Sequence, residues 1–189
     1  MIRGRRTASA SEYNPNMPTL QPDQALFLRE GAIRSLTTEQ PVTRRVIEAI
    51  PLDKGDFKMD DVGKSALELA WHMVGAEHRF IDAVVNGAFD FTNSGRPAEL
   101  RTSADIARWY GETSAKDIAR LAAVPVDGLV KIVDFRGLFQ LPAVAFLQFS
   151  MHHVIHHRGQ LSMYLRPMGA KVPAIYGESY DSAKAKAGA

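Results

Sequence analysis

The sequence contains no cysteine. That removes disulfides, thiolate ligands and a cysteine nucleophile, and a reducing cytoplasm is the expected compartment. No apolar stretch approaches the roughly 20 residues that span a bilayer. Neither sign of charge dominates: 23 basic and 21 acidic residues leave a formal net charge of +2, too weak a field to argue for nucleic acid. The basic opening, MIRGRRTASASEYNPNMP, is not followed by the apolar run of a secretory signal. The metalloprotease pattern H-E-x-x-H is missing, since HVIHH has no Glu inside. A carboxylate-bridged di-iron bundle needs Glu-x-x-His pairs on two helices. Neither Glu68 nor Glu77 has a His three residues on, and the last long helical segment has no carboxylate.

What is present is helical patterning. Residues 1–21, with Pro15 and Pro18 among small polar residues, read as a disordered arm. Pro22 opens an apolar helical pattern that reaches Pro51. Pro41 inside it predicts either one kinked helix or two consecutive ones. Residues 52–64 read as a loop. Ser65 and Glu68 have capping-box spacing, and the helix they open runs to Asn86–Gly87, a C-cap pair. A third helix starts near Thr102 or Ser103 and closes at Pro125. Residues 126–141 read as an extended connection: VKIVDF alternates partly like a strand but has no evident partner. Pro142 suits the first position of a fourth helix that stops at Pro167 and Gly169. VPAIYGESY is expected to pack back, and residues 177–189 to form a flexible tail. Four amphipathic helices bury their faces together as a four-helix bundle, here over residues 22–176.

The chemistry gathers in Met151–Gly169, which holds four of the six histidines. His153 and His157 are one turn apart, as are His152 and His156. The first pair lies on a stripe with Phe146, Phe149, Gln160 and Tyr164, whose aromatic start must face the core. Two imidazoles there, with a Gln and a Tyr, are more polarity than packing accommodates. The second pair shares a less apolar face with Ala145, Gln148, Gly159 and Met163. A third ligand must come from the second helix. His72 has small residues, Gly75 and Ala76, one turn on; His78 lies with Trp71, Val74 and Ile81. Spacing leaves both open. Three neutral nitrogens with an open position describe a catalytic kind of zinc site; imidazole also suits nickel, copper and iron.

H-x-x-H-H-R-G-Q followed by YLRPMG, with LAWHMVGAE upstream, resembles the DinB-like (damage-inducible) superfamily of metal-binding four-helix bundles, over roughly Gln24 to Tyr176. The resemblance implies an all-α, up-down-down-up bundle and frequent homodimers. It implies that His72, His153 and His157 are the ligands of a divalent metal, zinc first and nickel second. His152 departs from the core motif and leaves a second registration, His152 with His156, open. Relatives include thiol-dependent S-transferases and the mycothiol-dependent maleylpyruvate isomerase, so a metal-dependent S-transferase or hydrolase acting on a small molecule is expected. Any thiol must come from a low-molecular-weight cofactor. Gln160 and Tyr164 are the candidates for holding a ligand or orienting substrate, with Glu77 a weaker base candidate. Arg108, Arg120 and Arg158 are possible anion sites, though arginines on helices more often face solvent. The alternative is a non-enzymatic, metal-stabilised dimeric module for stress or ligand binding.

Overall fold

Three of the four long helices begin where the sequence supplies a cap. Gln21 N–H donates to Gln24 Oε1 at 3.0 Å ahead of α1 (Pro22–Glu48). Ser65 and Glu68 close a reciprocal capping box at 2.7 and 3.3 Å ahead of α2 (Ala66–Asn86). Thr102 and Asp105 do the same at 3.0 and 3.1 Å ahead of α3 (Ser103–Ala122). These pairs satisfy backbone N–H groups that a first helical turn leaves free. Gly87, at φ 70°, ends α2 in the left-handed conformation a C-cap glycine supplies without a Cβ clash. The computed structural model describes residues 19–188, so nearly all of the expected N-terminal arm lies outside the described residues.

Of the two readings of the first segment, the single helix holds: α1 continues through Pro41. Residues 126–141 depart from the expected extended connection. They form a short helix, α4 (Val126–Val130), and a two-stranded antiparallel hairpin, β1 (Ile132–Phe135) and β2 (Phe139–Pro142), with Val133 opposite Leu141. The turn uses Arg136 at φ 56° and Gly137 at φ 68°, and Leu138 N–H donates to Phe135 O at 2.9 Å. Two successive positive φ values give the turn whose twist matches paired strands. Pro142 therefore ends β2 instead of opening a helix. A 3₁₀ turn over Ala143–Ala145 follows, and α5 begins at Phe146 and ends at Leu165. Within 177–189 the chain forms α6 (Tyr180–Ala187), tied back by an Arg166–Asp181 ion pair at 3.0 Å and by Ser179 Oγ donating to Val172 O at 2.6 Å.

Cross-helix contacts give the directions. Arg29 at the start of α1 donates to Val124 O beyond the end of α3, and Ser103 Oγ at the start of α3 donates to Ile50 O, so α1 and α3 are antiparallel. Trp71 meets Trp109, His78 meets Asp117 and Asp82 meets Arg120, so α2 and α3 are parallel. Tyr164 reaches Lys64 O and Phe146 stacks near Phe80, so α5 runs against α2. The bundle is all-α in its framework and up-down-down-up. Its core has two apolar clusters. One, around Ile47, Met73, Tyr110 and Leu161, lies at the α2 start; the other, around Ile81, Leu121, Val133 and Phe146, takes Val133 from the hairpin. Among the described residues no helix is long and apolar enough to cross a membrane.

Candidate metal centre

The antiparallel approach of α2 and α5 carries His72 onto the histidine pair of α5. His72 Nε2 lies 3.1 Å from His157 Nε2 and 3.1 Å from His153 Nε2. All three ligand atoms fall within 4.8 Å of one another, a convergence one cation could take up. His157 Nδ1–H donates to Gln160 Oε1 at 2.6 Å, which fixes its tautomer and turns the Nε2 lone pair toward the other two rings. His153 Nδ1 is buried and has no such partner.

The electrostatics keep the cluster uncharged. Burial, then the His157 ring, then Lys64 and Arg79 push His72 down to about 4. Burial, followed by the neighbouring histidines, pushes His153 down to about 3. Burial also lowers His157, and its hydrogen bond to Gln160 opposes the shift. At neutral pH three imidazoles therefore offer lone pairs, the form a metal requires. The donor set, the convergence and the tautomer at His157 all fit a metal ion.

The stripe that bears these histidines is not the core stripe. The buried positions of α5 are Leu147, Ser150, Val154, Arg158, Leu161 and Leu165, one residue over from it. Phe146 is buried, but Phe149 is 44% exposed and Gln160 faces solvent. The triad thus sits half-buried on the rim of the α2–α5 groove. An open cleft of ≈ 430 Å³ adjoins His157, with Gly63, Lys64, Gln160 and Tyr164 in its wall. A second of ≈ 340 Å³ adjoins His72 and His153, walled by Arg79, Phe91, Phe135 and Arg136. Tyr164 lines the first cleft, but its hydroxyl donates to Lys64 O at 3.2 Å and braces the loop before α2.

Other candidate residues are placed elsewhere. His78 belongs to a separate network: its Nδ1 lies 2.7 Å from Asp117 Oδ2, and Arg120 Nη1 lies 2.5 Å from Asp82 and 3.2 Å from Asp117. That guanidinium supplies the cation the cluster would otherwise attract. His152 and His156 are exposed, and neither joins a three-ligand group among the described residues. Glu77 is 3% exposed in the core, beside the Tyr110 hydroxyl, with burial raising its pKa to about 7. The three arginines offered as anion sites are all committed. Arg108 pairs with Asp105 and Arg120 with its two aspartates. Arg158, far from facing solvent, is 1% exposed and pairs with Glu39 at 2.5 Å. The space beside the small residue Gly75 is filled by the Trp71 ring, which stands 3.1 Å from where a Cβ would be.

The sequence profile of the DinB family matches residues 28–187. The chain belongs to the DinB family. It is 31% identical to the uncharacterized protein YjoA of Bacillus subtilis (strain 168) over 131 residues, 68% of this chain and 82% of the relative. It is 28% identical to YrdA of the same organism over 150 residues, 77% of this chain and 86% of that one. The crystal structure of the DinB-like YjoA superposes with a TM-score of 0.65 at 25% identity, covering 78% of this chain and 99% of that one. A DinB-like protein from Bacillus cereus superposes at 0.66 with 24% identity, covering 78% and 97%, a likeness of fold. The family membership agrees with the resemblance carried by the HHRGQ motif. Arg79 and Arg136 were missed by the sequence reading. The one available signal was that Arg79 follows His72 by seven residues, two turns along one face.

Proposed function

We propose that this DinB-family chain is a metal-dependent enzyme acting on a small molecule, as a thiol-dependent S-transferase or a hydrolase. The observation that carries this reading is the placement of three converging Nε2 atoms on the rim of the core, between two clefts. A purely structural site is closed, whereas a catalytic one keeps a position open. His72, His153 and His157 would hold the ion, zinc first and nickel second. A divalent ion held there supplies Lewis acidity, which lowers the pKa of a water or thiol.

The chain's own residues support this reading. Gln160 holds the Nδ1 proton of His157. Burial keeps all three rings neutral at working pH. Tyr164 fastens the Lys64 carbonyl and so shapes the cleft wall. With no cysteine in the sequence, a thiol must be a separate small molecule that enters a cleft. The reading includes a cytoplasmic homodimer: Phe27, Leu28, Leu147 and Met151 line an apolar groove between α1 and α5, with Phe27 72% exposed. A second copy would cover it.

Elemental analysis of protein purified without an affinity tag tests the centre. About one zinc or nickel per chain is expected, absent from His72→Ala, His153→Ala and His157→Ala. Full metal retention in all three variants would sink the assignment. Loaded protein would then be assayed for thiol-dependent transfer and for hydrolysis. Metal that only raises the melting temperature, with no turnover, would favour a non-enzymatic, metal-stabilised module. Sedimentation across a concentration range reads the dimer.

A further inference from the structure

The cleft beside His72 and His153 sets two arginines, Arg79 and Arg136, in an aromatic wall. Arg79 stands two turns after His72 and is half-buried. Among the described residues no carboxylate pairs with it, nor with Arg136 across the cleft. Arg29, Arg44, Arg108, Arg120, Arg158 and Arg166 do have such partners. Unpaired exposed arginines are ordinary. Arg79 is different because burial and the charge of Arg136 both work against it. The half-buried Arg79 guanidinium and the exposed Arg136 guanidinium line the same cleft, and an anion between them would offset their mutual repulsion.

The rest of the wall is aromatic. The Arg136 guanidinium lies 3.9 Å above the centre of the Phe91 ring. Phe135 stacks on Phe80 at 6.0 Å and meets Phe89 edge-on at 5.0 Å. Arg136 holds its place from a backbone at φ 56°, a conformation uncommon for a residue with a Cβ. The hairpin that sequence reading left unpaired thus delivers both a cation and a ring to the metal centre.

We propose that Arg79 and Arg136 bind the carboxylate of an aromatic carboxylate substrate, whose ring meets the edges of the aromatic wall formed by Phe80, Phe89, Phe91 and Phe135 and whose reacting group points to His72 and His153. This rests on the metal-centre reading only for the direction in which the substrate reacts. The binding claim stands on the cleft alone.

Calorimetric titration of the full chain with 2-naphthoate tests it, on zinc-loaded and on chelator-treated protein. The uncharged 2-naphthamide and the ringless acetate serve as controls. Binding of 2-naphthoate is expected in both metal states, with both controls weaker by about tenfold or more. Arg79→Gln and Arg136→Gln should each weaken it by about tenfold, with circular dichroism melts and zinc content unchanged. Arg79→Lys, which keeps the charge, should retain most of it. The proposal is overturned by no detectable 2-naphthoate binding, by equal binding of the amide, or by wild-type affinity in both Gln variants. It is also overturned if chelation abolishes binding while Arg79→Gln retains it, since the carboxylate would then sit on the metal. Naphthoate binding by a protein that takes up no metal would remove the metal reading and leave this one standing.

Discussion

Gln160 Oε1 accepts the Nδ1–H of His157 at 2.6 Å, one turn along α5 and on the solvent side of the triad. The bond leaves His157 only one nitrogen to offer, and points it at His72. Metal-ligating histidines commonly depend on such a partner, and its loss weakens affinity by roughly 10–100-fold. Gln160→Ala should therefore weaken zinc binding by that order in a competitive chelator titration. The melting temperature of the metal-free protein should stay within a degree or two, because Gln160 is exposed and surface substitutions cost about 0.5 kcal/mol or less. Unchanged zinc affinity would remove Gln160 from the site.

His72 and His153 are held down to about 4 and about 3. Their unfolded value is near 6.5. Above that value both states of the protein carry neutral rings, and the shift contributes nothing. Below it the unfolded chain takes up protons that the native rings refuse, so stability falls with pH. The metal-free protein should lose stability progressively from about pH 6.5 down to about pH 3. Bound zinc should move the loss to lower pH, since the ion competes with protons for the same lone pairs. Urea denaturation at a series of pH values, with and without zinc, reads both curves. In His72→Ala the acid slope should shrink and the zinc dependence vanish.

Much of this arrangement was legible in the sequence, for local reasons. Capping boxes at Ser65–Glu68 and Thr102–Asp105 act within one turn, so their residues suffice to place two helix starts. The one-turn spacing of His153 and His157 likewise puts two rings on one face whatever surrounds them. The misses depend on distant residues. Strand β1 looked unpartnered because FQLP barely alternates and Pro142 resembles a helix start. The core stripe of α5 lies one position from the expected one because Phe146 and Leu147 are both buried. Arg158 reads as a surface residue until Glu39, 119 positions away, is brought against it.

Glu77 has the opposite pH signature to the histidines. Burial raises it from 4.5 to about 7. Between those values the unfolded chain has lost its proton while the native carboxyl keeps one, so stability falls as pH rises through this window. Above about pH 7 the full penalty is present. Glu77→Gln keeps the shape and a polar group beside the Tyr110 hydroxyl but removes the charge. It should stabilise the protein at pH 8 by roughly 1–3 kcal/mol and have little effect near pH 4.5. Equal effects at both pH values would mean that packing, and not ionisation, governs this position.

Arg158 joins three parts of the chain at one buried guanidinium. Its Nη1 donates to Glu39 Oε2 at 2.5 Å and to Thr43 Oγ1 at 3.2 Å on α1, and its Nη2 donates to the Tyr176 hydroxyl at 2.6 Å in the segment after α5. Tyr176 in turn donates to Glu39 at 3.2 Å. A buried pair is nearly neutral overall, but removing one member strands the other without water or counter-charge. Arg158→Ala should cost about 3–5 kcal/mol in urea denaturation. Arg158→Met with Glu39→Leu should recover most of that, because neither charge remains. Tyr176→Phe isolates the tail: it leaves the ion pair in place and removes a hydroxyl that both accepts and donates, for a loss of about 1 kcal/mol. Since Arg158 follows His157 directly, the same variants test whether this anchor positions the triad. Zinc affinity should fall in Arg158→Ala and return in the double variant. A double variant that regains stability but not zinc would mean that the guanidinium itself, and not the packing around it, sets the angle at which α5 presents His157.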